Sequence, residues 1–361
     1  MNKCLLAIAT TFAITVPQAF GDTTWISTST ANWTTAGNWN NGVPGTTSGA
    51  VFQDGASIIH LLDLGATAQT TLGIVFNSVP GGSGFTLGST LSPAGINLRA
   101  GGTAGGIINN DDSLQTFNVP LTMLTSSGLP GAAAAQTWNA ASGSLLFSGI
   151  YSGSATTVNN NGGRLTVDGA FDTTIGSPTG RGDITGTGGL TKNGAGNLTL
   201  GGTVANGYTG GTIINAGTIT AAKANAFGNG ALTLSGSEIT LNTSGKNQTF
   251  GVLNLAGSAT IDLGAGASAL TFANSSGAAW TGGLTILNWT QGSDSIRVGT
   301  ASGGLTSAQL LALNFPDVPG FIGAIQDANG FVIPVPEPST VSLSLLGGFG
   351  LSFLIYRRRK N

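Results

Sequence analysis

Acid–base, nucleophilic or metal chemistry in this chain would rest on very few groups. His60 is the only histidine and Cys4 the only cysteine among 361 residues. A Ser-His-Asp arrangement would have to use His60, which sits in the apolar run 58–62. No Gly-x-Ser-x-Gly elbow accompanies it. A zinc site has no second histidine to recruit. Asp168, Asp172 and Asp183 fall within 16 residues, flanked by Arg164 and Arg181. Carboxylates converging on one face are what a polysaccharide-cutting enzyme needs; aspartates scattered over polar corners account for the same residues. Asp111 and Asp112 form the densest acidic spot, which suits either calcium or a polar turn after 105–108. The glycine-rich stretch 101–106 is no phosphate loop, because no Lys-Ser/Thr follows it. Trp25, Trp33 and Trp39 lie beside Asn, Gly and Pro turns. They suit a hydrophobic cap or a platform for stacking sugar rings. The expectation is no catalytic set, no metal and no cofactor.

Whatever these groups do, a weakly charged scaffold must position them. Only 7 % of residues are charged, against an ordinary ~25 %. Residues 22–335 carry seven Lys/Arg and thirteen Asp/Glu, a net charge of −6. No basic patch exists, which argues against nucleic acid as a partner. Period-two runs bounded by Gly, Asn or Ser recur at 143–149, 163–169, 197–201, 211–217, 230–236, 251–257 and 283–287. Alternation of Val, Ile, Leu and Thr is the strand signal, with glycine at the corners. No helical period of comparable length separates the runs. A rung with one apolar row cannot bury it alone, so the pattern points to an all-β solenoid whose rungs cover one another. A large β-sandwich is the alternative. One short helix is expected within 304–315, capped by Thr306 or Ser307, with Leu310, Leu313 and Asn314 on one side. Pro316, Pro319, Pro334, Pro336 and Pro338 then predict a stiff extended linker.

The ends read as addresses. Lys3, the apolar stretch 5–16 and the small residues Ala19 and Gly21 form a secretory signal, cleaved after Gly21. Cys4 leaves with it. At the other end come Pro336-Glu337-Pro338, then an apolar run over 341–356, then Arg357-Arg358-Arg359-Lys360. The run has 16 residues, about 24 Å as a helix at ~1.5 Å per residue. That is just short of the roughly 30 Å hydrocarbon core, and snorkelling arginines make a thin span feasible. The basic stop would hold that end in the cytoplasm.

This tail resembles the PEP-CTERM sorting signal of exopolysaccharide-producing Gram-negative bacteria. The matching residues are Pro336-Glu337-Pro338, Gly347-Gly348 and the basic cluster. The resemblance implies a membrane-embedded processing protease, an exosortase, that recognises the signal and removes the tail. An ordinary uncut anchor is the alternative. A second resemblance lies at 188–219: Leu190-Thr191-Lys192, Gly194, Gly196 and Leu198-Thr199-Leu200, followed by Tyr208-Thr209-Gly210-Gly211-Thr212. It is similar to the autotransporter-associated β-strand repeat of secreted bacterial surface proteins, which implies a right-handed parallel β-helix.

The expected organisation is a signal peptide at 1–21, a Trp-rich cap and first rungs at 22–139, and a β-helix at 140–303. A closing helix and linker follow at 304–335, then the sorting signal at 336–361 with a transient membrane helix at 341–356. The expected function is an exported structural or adhesive envelope protein, with the processing protease and exopolysaccharide as candidate partners. A carbohydrate-binding or polysaccharide-cleaving β-helix is the alternative.

Overall fold

A computed structural model describes residues 21–27, 31–53, 60–77, 83–88, 94–99, 105–125, 134–150 and 156–337. The signal segment up to residue 20, Pro338, the apolar run 341–356 and the basic cluster Arg357–Lys360 lie outside the described residues.

The regular structure of the described chain is almost entirely strand, and apart from one terminal hairpin the strands stack in parallel. One ten-stranded sheet runs from Thr23–Thr24 to Leu253–Leu255, and a twelve-stranded sheet runs from Ala31–Asn32 to Leu313–Asn314. The third side holds a five-stranded sheet, Gln69–Thr71 to Ile184–Thr185, and a three-stranded sheet, Gln248–Phe250 to Ser295–Val298. One rung visits all three sides: Leu165–Gly169, then Thr173–Ile175, then Ile184–Thr185, before Leu190–Lys192 starts the next. Leu165 pairs with Leu190, and Leu190 with Thr212, in parallel register. This is the strand order of a β-solenoid. Between Ile184–Thr185 and Gln248–Phe250 the third side is irregular, yet the ladder continues. The Asn206 amide donates to the Asn225 carbonyl at 3.1 Å, and the Asn225 amide to Asn247 at 3.0 Å.

The runs at 143–149, 163–169, 197–201, 211–217, 230–236, 251–257 and 283–287 each contain a strand. Their alternate residues point inward, as in Leu198, Thr199 and Leu200, where only the threonine is not buried. Along the axis the inward rows form an aromatic column. Phe52 stacks on Phe76 at 5.1 Å, Phe117 on Phe147 at 4.8 Å, and Trp138 on Phe147 at 4.3 Å. Such offset stacks add to the burial energy of the rings. Strand Gln136–Ala140 pairs on both sides, with Gly106–Asn110 and Leu165–Gly169. The sheet therefore runs unbroken across residues 139 and 140.

The C-terminal end differs from expectation in two ways. The helix is confined to Ser307–Leu311, with Thr306 as N-cap and Gln309 completing a capping box. Leu313 and Asn314 are not on it; they form a strand that pairs with Leu284 and Thr285. Residues expected to be an extended linker instead fold into an antiparallel hairpin, Phe321–Gln326 with Val332–Pro336. Pairing in an outer two-stranded sheet tolerates Pro334 and Pro336. Antiparallel positions alternate between donating and non-donating pairs, and these prolines are two residues apart.

Candidate functional site

The terminal hairpin carries the start of the sorting motif. Pro336 is the last residue of its second strand and pairs with Phe321. The Glu337 amide donates to the Gly320 carbonyl at 2.5 Å. Gly320 has φ +66°, a left-handed turn that glycine adopts without strain. Pro336 and Glu337 are both exposed. The motif thus begins on a folded edge held by main-chain bonds, with the glutamate side chain facing outward.

Trp25, Trp33 and Trp39 are 2 %, 0 % and 3 % exposed. Trp39 lies 5.0 Å from both other indoles, and all three pack on Phe52 at 5.6 to 6.2 Å. Their faces are covered by one another, so they offer no platform for a sugar ring. They lie beside Thr23–Thr24 and Ala31–Asn32, the first strands of the two long sheets.

The acidic groups also take separate partners. Asp183 is buried and forms an ion pair with Arg181 at 3.0 Å, while its Oδ1 accepts the Thr157 amide at 3.0 Å. Asp172 Oδ1 accepts the Asn197 amide at 2.9 Å, and Asp168 Oδ1 accepts the Gly169 amide at 2.8 Å. Arg164 does not face these carboxylates; its Nη1 donates to Leu190 O, Thr191 Oγ1 and Gly211 O, tying neighbouring rungs. Asp111 Oδ1 accepts the Ser113 amide at 2.6 Å in a polar turn. Among the described residues no group of three or more His, Cys, Asp or Glu is placed to hold a metal. The backbone of His60 lies in strand His60–Asp63; its side chain is outside the described residues.

Sequence reasoning missed two buried lysines. Lys223 Nζ donates to Gly182 O at 2.7 Å, Val204 O at 2.6 Å and Asn206 Oδ1 at 3.1 Å. Lys192 Nζ donates to Gly194 O. Burial lowers both lysines to about 8, against the opposing pull of Asp183 on Lys223 and of Asp168 and Asp172 on Lys192. Lys223 ties neighbouring rungs and Lys192 closes the turn just after its own strand, roles no short-range pattern signals. Tyr208 is wholly buried and its phenol is pushed up to about 12 by desolvation. A surface groove of about 420 Å³ lies beside Phe250, Phe272, Asn274, Arg297, Gly299 and Gly304. It presents one cation and no carboxylate.

No helix among the described residues is long and apolar enough to cross a membrane. No curated protein and no solved structure matches the chain. Two family models do. One describes a passenger-associated-transport-repeat and matches residues 190–221; the other describes a PEP-CTERM protein-sorting motif and matches 334–360. The repeat match begins at the buried Leu190 and spans both glycine-cornered turns. The sorting motif suggests an exported, envelope-sorted chain processed by an exosortase-type enzyme, and the repeat suggests a surface protein. The chain therefore carries a PEP-CTERM sorting motif at 334–360 and a passenger-associated transport repeat at 190–221.

Proposed function

We propose that the chain is the precursor of a structural or adhesive surface protein, built as a right-handed β-helix and released or displayed after its tail is cut. The observation that carries this reading is the place of Pro336 and Glu337. The motif starts at the exposed end of the last described strand, directly after a scaffold with little means for chemistry. The buried indoles Trp25, Trp33 and Trp39 close the first rungs, as solenoid ends require to block edge pairing. The membrane-inserted stage, through 341–356 and the basic stop, belongs to this proposal. So does the lack of hydrolase or lyase turnover on polysaccharides. An exopolysaccharide partner would meet an outer surface of Thr and Asn rather than charge.

Glu337→Ala tests the sorting step. The bond from residue 337 to Gly320 O is made by the main chain, so the substitution keeps the hairpin and removes only the side chain. Expected is a chain that keeps its tail and stays with the membrane fraction. Processing at the wild-type rate would overturn the reading.

A further inference from the structure

The chain's exposed apolar residues are unevenly placed. Of the nine large hydrophobic side chains exposed among the described residues, five fall between 311 and 333: Leu311, Ile322, Ile325, Phe331 and Ile333. Four of these lie on the terminal hairpin or in its turn. Ile325 pairs directly with Ile333, and Gly323 with Val335. Residues paired this way, and those two apart, share a sheet face. Ile325, Ile333 and Val335 therefore form one outer apolar face, while Val332 and Pro334 turn inward and are buried. Ile322 stands at the bulge between Phe321 and Gly323 and is 55 % exposed. Clustered apolar exposure on an otherwise hydroxyl-rich protein marks a surface that meets something apolar.

What it meets is indicated by where the chain goes next. Four residues separate Pro336 from Val341, the start of the apolar run, so the chain takes five steps between them. At ~3.4 Å per residue that is at most about 17 Å of chain. If 341–356 enters the bilayer, the hairpin is tethered at the lipid surface. We propose that in the precursor the outer face of this hairpin, with Ile322, Ile325, Ile333 and Val335, lies in the membrane interface. The proposal rests on the membrane-inserted stage described above. Docking there would present Pro336 and Glu337 at the depth where a membrane-embedded protease works. The contact is apolar rather than ionic. Near the hairpin the carboxylates Asp317, Asp327 and Glu337 outnumber Arg297, which stacks over Phe331 at 5.7 Å. Interfacial anchoring by side chains scales with buried apolar area when charge contributes little.

Residues 22–361 contain no cysteine, so single-cysteine variants give unique labels. The chain 22–361 would be reconstituted with vesicles of zwitterionic phosphatidylcholine, with and without anionic phosphatidylglycerol. An environment-sensitive fluorophore would sit at Ile325→Cys, Ile333→Cys or, as control on a lateral sheet, Thr174→Cys. Expected are flotation with the vesicles and blue-shifted emission at 325 and 333. Lipid-borne quenchers should quench both labels, with no response at 174 and no dependence on anionic lipid. A chain that floats while the labels at 325 and 333 report water would overturn the docking and leave the span intact. A chain that fails to float would overturn the inserted stage and the docking with it. A blue shift that appears without vesicles and grows with protein concentration would assign the face to a second copy instead.

Discussion

The Tyr208 phenol lies 2.6 Å from the Thr212 hydroxyl, both wholly buried within the transport repeat. Between them stand Gly210 and Gly211. A side chain at Gly210 would come within 2.5 Å of the Gly188 backbone, and one at Gly211 within 2.8 Å of Ala231 O. The Tyr-x-Gly-Gly-Thr turn is thus a packing device. The ring fills a side of the solenoid that has no strand there, and the glycines let the adjacent rungs close. Tyr208→Phe removes the partner of a buried hydroxyl and should cost about 1–2 kcal/mol. Tyr208→Ala should cost about 3–5 kcal/mol through the cavity. Urea unfolding of the folded domain measures both; equal, negligible losses would show that the ring is not structural.

The glycines before Leu198 make a sharper case. A Cβ on Gly194 would sit 2.0 Å from Gly169 O, a backbone atom of the rung beneath. Gly194→Ala should therefore destabilise by about 1–3 kcal/mol or more through overpacking. Gly277 has nothing within 4 Å, so Gly277→Ala should stay within about 0.5 kcal/mol of wild type. The difference between the two urea midpoints is the readout.

Stability should depend on alkaline pH in a particular order. Lys192 and Lys223 titrate near 8 in the fold, from an ordinary 10.5, because burial disfavours their charge. Between those values the unfolded chain holds protons that the native chain has lost, so stability rises with pH. Tyr208 works the other way. Burial raises it from 10.0 to about 12, so above pH 10 the native chain keeps a proton the unfolded chain releases, and stability falls. The urea midpoint should rise from about pH 8 towards 10 and decline beyond it. Lys223→Met should flatten the rise, whatever its effect on stability at pH 7.

The rungs were legible where a strand was long enough to alternate. Leu198, Thr199 and Leu200, or Leu284–Leu287, advertise their inner row directly. The third side was not, because Val158–Asn159 and Ile184–Thr185 are two residues long and carry no period. The hairpin was hidden by its prolines, which read as a linker until Phe321–Gln326 supplies the partner strand. The indoles Trp25, Trp33 and Trp39 were visible as a group, but sequence could not say whether their faces were open. Packing on Phe52, more than ten residues away from the nearest of them, covers them. The sorting motif was legible because it is a linear address, read by residue type rather than by fold.

Intact mass of the protein recovered from the cells that make it tests the central claim most directly. An exported, sorted chain should begin at Asp22 and end close to Pro336-Glu337-Pro338, with any added glycan visible as extra mass. A steady-state protein that retains Tyr356 and the Arg357–Lys360 cluster would contradict the account and make the tail a permanent anchor.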